Sequence, residues 1–242
     1  MKTVLITGAS RGIGSGIVKE LAKTSLNIII GYNKNKLFAE ELVNEHKSTN
    51  NQLTAVQVEL ENTSGFQSII NDISQAFGGI DILINNAAIH KTNNFLDITE
   101  EEWDHVLSVN LKAAFLLSQK VIPGMLSEKF GRIINIASIA AQRGGVNSIP
   151  YAASKAGLVN LTRSLARLYS QDGIHSFCIA PGLVETDMSQ KVNFEKEIEN
   201  IPIKRLGTKE EIGALIRFLI SESSEYLTGQ TFHMNGGEHF YG

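Results

Sequence analysis

Short apolar runs alternate with longer amphipathic segments along this sequence, and this alternation constrains the fold more than any other feature. Some runs are continuous, such as Ile28-Ile29-Ile30 and Ile133-Ile134, as expected of strands buried on both faces of a parallel sheet. The predicted strands are Thr3–Thr7, Asn27–Gly31, Leu53–Val58, Ile80–Ile84, Arg132–Ala137, Ile174–Ile179 and Thr231–His233. The predicted helices lie between them, at about 12–23, 35–48, 64–77, 100–127, 151–171 and 208–221. This order predicts an α/β fold with a doubly wound, seven-stranded, mainly parallel sheet and helices on both faces.

The sequence predicts a single domain over residues 1–242. It contains four prolines and shows no linker-like or low-complexity stretch where a second domain could begin. The polar stretch at about 183–207 interrupts the rhythm between the sixth strand and the last helix. A connection of this length in a compact fold is typical of a binding loop, so we predict a substrate-loop insertion there.

Charge and composition exclude several classes of function. The 22 Lys and Arg residues nearly balance the 25 Asp and Glu residues, giving a net charge of −3, which argues against nucleic-acid or anionic membrane partners. No apolar run is long enough for a membrane span or a signal peptide, so we expect a cytoplasmic protein. The one cysteine, Cys178, and the scattered histidines predict neither a disulfide nor a metal site.

A glycine-rich segment follows the first predicted strand and opens the first helix, reading Thr7-Gly8-Ala9-Ser10-Arg11-Gly12-Ile13-Gly14. Glycines at such a turn let the backbone approach a pyrophosphate, whose charge is stabilised by the N-terminal N–H groups of the helix. The position after a buried N-terminal strand therefore predicts a dinucleotide site. Its candidate residues are Gly8, Ser10, Arg11, Gly12, Ile13 and Gly14.

The choice between NAD(H) and NADP(H) rests on the residues that follow the second strand. An NAD site usually has a carboxylate there for the ribose 2′-hydroxyl, but no acidic residue occurs between Glu20 and Glu40. Arg11 and Lys34, with Asn33 beside it, are placed to bind a 2′-phosphate instead. The sequence therefore favours NADP(H).

Tyr151 and Lys155 are four residues apart at the start of a long predicted helix, so they share one helix face. A neighbouring ammonium favours the phenolate and lowers the pKa of a tyrosine, which would suit Tyr151 to acid–base catalysis. Alone, such a pair usually marks an exposed helix surface. Ser138, however, ends the fifth predicted strand at the carboxyl edge, where ligands bind in sheets of this kind.

Taken together, these motifs resemble those of the classical short-chain dehydrogenases/reductases, from about residue 3 to residue 237, and imply a Rossmann-type fold. The resemblance rests on the glycine loop, Asn85-Asn86-Ala87, Asn110, Ser138, Tyr151-x-x-x-Lys155 and Pro181-Gly182. It implies that Tyr151 transfers the proton, Ser138 orients the substrate oxygen, Lys155 holds the nicotinamide ribose and Asn110 keeps a water in a proton relay. It further implies cofactor contacts from Glu59, Leu60, Asn86, Ala87, Tyr151, Lys155, Pro181, Gly182, Val184 and Thr186. Glu59 stands where the family usually has aspartate.

Within that family, the segments 180–188 and 203–212 and the Asn235-Gly236-Gly237 tail are similar to those of 3-oxoacyl-[acyl-carrier-protein] reductases of fatty-acid biosynthesis. The resemblance implies NADPH-dependent reduction of a 3-oxoacyl thioester by a homotetramer. Two alternatives stay open: a dehydrogenase or reductase of a sugar, polyol or other secondary alcohol, and a catalytically silent nucleotide-binding regulator. Acyl carrier protein is the implied partner, which such reductases bind through basic residues on their own surface. At the corresponding positions of this chain, Lys129 is basic but Asp172 is acidic, which argues against docking.

Overall fold

The computed structural model describes residues 1–186 and 194–240, and the strands of these residues form one seven-stranded sheet. The strands are β1 (Lys2–Ile6), β2 (Leu26–Tyr32), β3 (Gln52–Gln57), β4 (Ile82–Asn85), β5 (Gly131–Ile136), β6 (Ile174–Pro181) and β7 (Thr231–Met234). Their order in the sheet is β3-β2-β1-β4-β5-β6-β7, and every neighbouring pair is parallel. The predicted strands are confirmed to within two residues at each end, and the sheet is wholly rather than mainly parallel.

Helices follow the strands as the sequence predicts. They are α1 (Gly12–Leu21), α2 (Lys36–His46), α3 (Phe66–Phe77), α4 (Glu100–Leu107), α5 (Ala113–Glu128), α6 (Ala140–Arg143), α7 (Ile149–Tyr169), α8 (Phe194–Asn200) and α9 (Lys209–Leu219). The predicted helix at 100–127 is confirmed as one uninterrupted helical segment, within which a π-helical turn at Ser108–Lys112 lies between α4 and α5. The sequence does not predict this turn, in which Asn110 lies.

Two hydrophobic layers, one on each face of the sheet, explain the continuous apolar runs. Ile28 and Ile30 of β2 pack into the layer that contains Ile17 of α1, whereas Ile29 packs into the opposite layer with Leu117 of α5. Consecutive strand residues point to opposite faces, so both faces of β2 need apolar side chains. The helices on the two sides thus pack against alternate residues of the same strand.

The strand order reverses between β1 and β4, and this reversal positions the site. One half of the sheet grows from β1 through β2 to β3, and the other from β4 through β5 to β7. Connections therefore leave β1 and β4 toward opposite faces and open a crevice at the carboxyl ends of the strands, where ligands bind in open α/β sheets.

The predicted substrate-loop insertion at 183–207 is closed at its base. Val184 forms a parallel bridge with Gly207, in which the Glu185 N–H donates to the Gly207 oxygen at 3.1 Å and the Gly207 N–H donates to the Leu183 oxygen at 3.0 Å. Helix α8 occupies part of the loop, and residues 187–193 of the predicted insertion lie outside the described residues. The assignment of residues 1–242 to one domain stays a prediction.

Two further features of the described ranges are negative. No helix within residues 1–186 and 194–240 combines the length and apolarity needed to cross a bilayer. The same ranges contain no group of three or more His, Cys, Asp or Glu side chains arranged to hold a metal ion.

Candidate active site

Ser138 and Tyr151 meet at the carboxyl edge of the sheet. Ser138 lies two residues beyond β5, and Pro150 sets Tyr151 in the first turn of α7. The nearby Ser138 side chain lowers the pKa of Tyr151, but burial raises it by more, so that the pKa of Tyr151 lies above its ordinary value of 10.0. Because the phenol keeps its proton at neutral pH, it is suited to donating that proton to a bound acceptor.

Lys155 lies one helical turn after Tyr151, with Nζ 5.5 Å from the centre of the phenol ring. The lysine side chain is almost fully buried and donates a hydrogen bond to the Ile136 carbonyl oxygen at 2.7 Å. Burial lowers the pKa of Lys155 to about 8. The sequence-based expectation of a lowered Tyr151 pKa is not met, because the removal of the phenol from water has the larger effect and raises the pKa.

Asn110 joins the loop after β4 to helix α7. Its Oδ1 accepts the Ile89 N–H at 2.8 Å, and its Nδ2 donates to the Ile89 oxygen at 2.9 Å and to Ser154 Oγ at 3.1 Å. Ser154 in turn donates to the Tyr151 carbonyl oxygen at 2.7 Å. Asn110 lies within the π-helical turn, a feature that often marks functional positions. The residue predicted for a proton relay therefore also fixes the backbone on both sides of the phenol.

His90 contacts Tyr151, and the sequence reasoning missed it. The two rings meet edge to face with centroids 4.8 Å apart and an interplanar angle of 84°. Burial lowers the pKa of His90 below its ordinary value of 6.5, which keeps the imidazole neutral at pH 7. The available signal was that His90 follows Ile89 in the loop after Asn85-Asn86-Ala87, but a lone histidine in a loop has too many roles for its position alone to identify one.

The glycine loop has the shape that a dinucleotide pyrophosphate requires. Gly8 and Gly12 have left-handed φ angles of +62° and +55°, which favour glycine. A Cβ at Gly14 would lie 2.4 Å from the Gly8 carbonyl oxygen, so a side chain cannot be accommodated there without movement. Helix α1 begins at Gly12 with neither an acidic residue in its first turn nor a side-chain cap. Its N-terminal N–H groups are therefore suited to binding a phosphate.

Asn86 and Ala87 support this loop from the neighbouring strand. The Asn86 side chain donates to the carbonyl oxygens of Thr7 at 2.9 Å and Gly8 at 3.1 Å, while Thr7 Oγ1 accepts the N–H groups of Asn86 and Ala87 at 3.0 and 3.1 Å. A Cβ at Gly8 would lie 2.8 Å from the Ala87 Cα. These contacts fix the glycine loop across the point where the strand order reverses.

Four of the predicted cofactor residues lie further out along the same edge. Asn33 and Lys34 follow β2, and Glu59 and Leu60 follow β3. Asn33 is half-buried, with its carbonyl oxygen accepting a 3.0 Å hydrogen bond from Gln57, whereas Lys34 and Glu59 are exposed and Leu60 is buried. They follow neighbouring strands at the carboxyl edge, and their contact with the adenosine end of a dinucleotide stays a prediction.

A cavity of about 610 Å³ brings several other predicted residues together. Its lining includes Ser10, Arg11, Gly12 and Thr186, and a Cβ at Gly12 would lie 3.7 Å from the Thr186 Cβ. Acidic side chains also line it: Glu41, Glu45, Glu185 and Glu210. Of the remaining candidates, Ile13 packs against the core and Val184 is buried where it forms the bridge to Gly207. Pro181 is the last residue of β6, and Gly182 follows it.

Comparison with known proteins agrees with this geometry. A family model described as "Enoyl-(Acyl carrier protein) reductase" matches residues 8–239. The chain is 38% identical over 239 residues to a protein of Staphylococcus epidermidis named 3-oxoacyl-[acyl-carrier-protein] reductase FabG, covering 98% of both chains. It is 37% identical to the Vibrio cholerae protein of the same name and 35% identical to a 3-oxoacyl-[acyl-carrier-protein] reductase of Synechocystis, covering 98% of this chain and 96% of each relative. The chain therefore belongs to the short-chain dehydrogenase/reductase family of oxidoreductases, whose members use a nicotinamide cofactor.

Proposed function

We propose that the protein reduces the ketone of a 3-oxoacyl thioester to the 3-hydroxyacyl thioester, using NADPH. The observation that carries the proposal is the Ser138–Tyr151 pair, a phenol that keeps its proton next to a serine, at the same carboxyl edge of the sheet as a glycine loop with little room for side chains. The relatives named above as 3-oxoacyl-[acyl-carrier-protein] reductases support this substrate class, since they match the chain over almost its full length.

The side chains divide the work of carbonyl reduction between them. When bound, the reduced nicotinamide supplies the hydride. Ser138 donates a hydrogen bond to the ketone oxygen and Tyr151 Oη gives that oxygen its proton. The resulting phenolate is stabilised by Lys155, which with a pKa of about 8 is mostly protonated at pH 7 and lies 5.5 Å from the ring. Asn110 keeps the backbone at Tyr151 in place through Ser154.

Preference for NADPH over NADH is part of the proposal. The glycine loop and the start of α1 would hold the pyrophosphate, and Arg11 and Lys34, both exposed, would bind the 2′-phosphate. The absence of any acidic residue between Glu20 and Glu40 supports this preference, because the carboxylate that would bind a free 2′-hydroxyl is missing.

The test is an initial-rate assay with acetoacetyl-CoA and either NADPH or NADH. We expect NADPH-selective turnover that falls by at least about 100-fold in Tyr151→Phe, because the proton donor is lost. Tyr169→Phe, at the other end of α7, is the matched control and should retain activity. If NADPH protects the protein against heat but no thioester is reduced, the proposed substrate class is wrong. Reduction of a sugar carbonyl, or oxidation of a polyol with NADP⁺, would then identify the alternative. Failure to reduce any carbonyl would favour the silent regulator.

Partner and assembly are further parts of the proposal. We expect a homotetramer, since α5 and α7 present large apolar side chains to the surface, with Phe115 46% and Leu168 65% exposed. Light scattering tests the assembly. A comparison of acetoacetyl-CoA with the acetoacetyl carrier protein tests docking, and the acidic Asp172 predicts little or no advantage for the carrier-bound substrate.

A further inference from the structure

The C-terminal residues Asn235–His239, here called the tail segment, contact three different loops of the candidate active site. These loops are the turn that follows Ser138, the Pro181-Gly182 segment after β6, and residues 201–203 of the substrate loop. The tail segment follows β7, the outermost strand on one side of the sheet. It therefore lies at the carboxyl edge of the sheet, two strands from β5, which Ser138 follows.

The first contact is an ion pair to the turn that follows Ser138 (residues 139–143), here called the serine turn. Arg143 Nη1 donates to Glu238 Oε1 at 2.7 Å and to His239 Nε2 at 3.0 Å. Arg143 ends the one-turn helix α6, whose start is tied to the catalytic serine, because the Ala140 N–H donates to Ser138 Oγ at 3.2 Å. One short helical turn thus connects Arg143 to the residue whose N–H binds the serine hydroxyl.

The second and third contacts are made by the backbone. Gly182 lies against the first residue of the tail, since a Cβ there would be 3.0 Å from the Asn235 Cα, and its N–H donates at 2.9 Å to the oxygen of Met234, the last residue of β7. The Ile203 N–H donates to the Gly236 oxygen at 3.2 Å. Gly236 has a φ of +62°, and a Cβ there would lie 2.7 Å from side-chain atoms of both Ile201 and Ile203. The absence of a side chain at Gly236 therefore allows the substrate loop to rest directly on the tail.

The tail segment is also braced internally, so that Glu238 is presented in a fixed position. Asn235 Nδ2 donates to the His239 oxygen at 2.7 Å, Asn235 Oδ1 accepts the Gly237 N–H at 3.0 Å, and the Glu238 N–H donates to the Asn235 oxygen at 3.0 Å. A turn held by three hydrogen bonds loses little entropy when its carboxylate engages a partner.

Because the Glu238 carboxylate is nearly buried, its charge is stabilised mainly by the Arg143 guanidinium. The Glu238 side chain is only 8% exposed, whereas that of Arg143 is 51% exposed. Glu238 Oε2 is buried and has no hydrogen-bond partner among the described residues. Removing the guanidinium would leave a nearly buried charge without its main compensation, which favours rearrangement of the tail toward water.

We propose that the Arg143–Glu238 ion pair is a positioning device for catalysis. It fixes the tail segment so that the Ser138 hydroxyl and residues 201–203 of the substrate loop keep their places around the ketone substrate. This inference rests on the proposed function and adds two positioning residues to it. Arg143 acts through the serine turn and Glu238 through the tail, and neither needs to touch the reacting atoms.

The kinetic test uses Glu238→Gln, Arg143→Gln and the double variant with acetoacetyl-CoA and NADPH. We expect each single variant to lower kcat by about tenfold and to raise the KM for acetoacetyl-CoA by about tenfold, because small displacements of positioning groups have effects of this size or larger. The KM for NADPH should stay within about twofold, and the double variant should be no worse than either single one, since the pair acts as a unit. Lys2→Gln is the matched control, because it removes the 2.9 Å Lys2–Asp81 ion pair at the opposite edge of the sheet.

A second readout, hydrogen exchange of the Ala140 and Ile203 amides, needs no substrate. Both amides should exchange faster in Glu238→Gln and be unchanged in Lys2→Gln, because the Ile203 acceptor is the Gly236 oxygen of the tail and the Ala140 amide lies in the turn that Arg143 ends. Unchanged exchange and unchanged kinetics would overturn the proposal. So would variants that lower only the melting temperature while kcat and KM stay at wild-type values. If exchange rises as expected but the wild-type protein reduces no ketone, the proposed function fails while the positioning of both loops by the tail segment is upheld.

Discussion

Replacing Lys155 with methionine should make the protein more stable at neutral pH while removing a group that we propose to be catalytic. The lysine is only 2% exposed, and burial lowers its pKa from 10.5 to about 8. Its charged form is thus disfavoured in the folded protein relative to the unfolded chain. The active site would then be maintained at a cost in folding stability, as is common for catalytic groups.

The size and sign of this cost follow from the two pKa values. A lysine whose pKa falls from 10.5 to about 8 on folding contributes an order-of-magnitude penalty of about 3 kcal/mol. The penalty is fully present below about pH 8, where folded and unfolded chains both carry the proton, and it disappears as the pH rises through 10.5. Between about pH 6.5 and about pH 9.5 the wild-type protein should therefore gain about 2 kcal/mol of stability relative to Lys155→Met.

The assay is urea unfolding followed by fluorescence of the only tryptophan, Trp103, at both pH values and equal protein concentration. Loss of the Lys155–Ile136 hydrogen bond costs about 1 kcal/mol, but this cost applies at both pH values, so the pH-dependent difference isolates the buried charge. Lys120→Met, at an exposed position of α5, controls for the removal of one positive charge. If the stability difference between wild type and Lys155→Met is the same at both pH values, the reasoning about a buried ammonium is refuted.

Three further predictions concern other parts of the fold. Gly14→Ala places a Cβ 2.4 Å from a carbonyl oxygen of the glycine loop, so NADPH affinity should fall by at least about tenfold. The control is Gly124→Ala, whose added Cβ meets nothing within 4 Å. Equal NADPH affinities of the two variants in a fluorescence titration would contradict the account of the loop. His90→Ala should lower kcat about fivefold while His90→Phe, which keeps an edge-to-face ring contact, should retain most of it; equal losses would show that the ring contact does not position the phenol. Arg205 holds the pKa of Glu211 at about 2, so the carboxylate stabilises the protein fully above about pH 4.5 and this contribution is lost as the pH falls through about 2. Glu211→Gln should therefore lower the free energy of unfolding by about 1 kcal/mol at pH 7, given solvent screening, and by less at pH 3. A loss that is the same at both pH values in urea unfolding would contradict this prediction.

Much of the fold could be predicted because each signal was local. The continuous run Ile28-Ile29-Ile30 indicates burial on both sides of a strand, and the structure places its members in opposite hydrophobic layers. Tyr151 and Lys155 share a helix face by spacing alone. Ser138 was identified because a residue that follows a parallel strand must lie at the carboxyl edge.

The rest depends on packing between distant parts of the chain. The hydrophobic pattern at 100–127 continues through the π-helical turn, so periodicity does not reveal that Asn110 is turned toward Ile89. The pKa of Tyr151 depends on how deeply the phenol is buried, which spacing does not determine. The pairing of Arg143 with Glu238 joins positions 95 residues apart, and neither residue belongs to a motif.

The central claim, proton donation from Tyr151 during hydride reduction of a 3-oxoacyl thioester, is tested most directly by isotope transfer. NADPH carrying deuterium at both C4 positions of the nicotinamide is incubated with acetoacetyl-CoA and the product is analysed by mass spectrometry. The account predicts 3-hydroxybutyryl-CoA with one deuterium at C3, formed at least about 100-fold more slowly by Tyr151→Phe. A product without deuterium, or an unimpaired Tyr151→Phe variant, would contradict it.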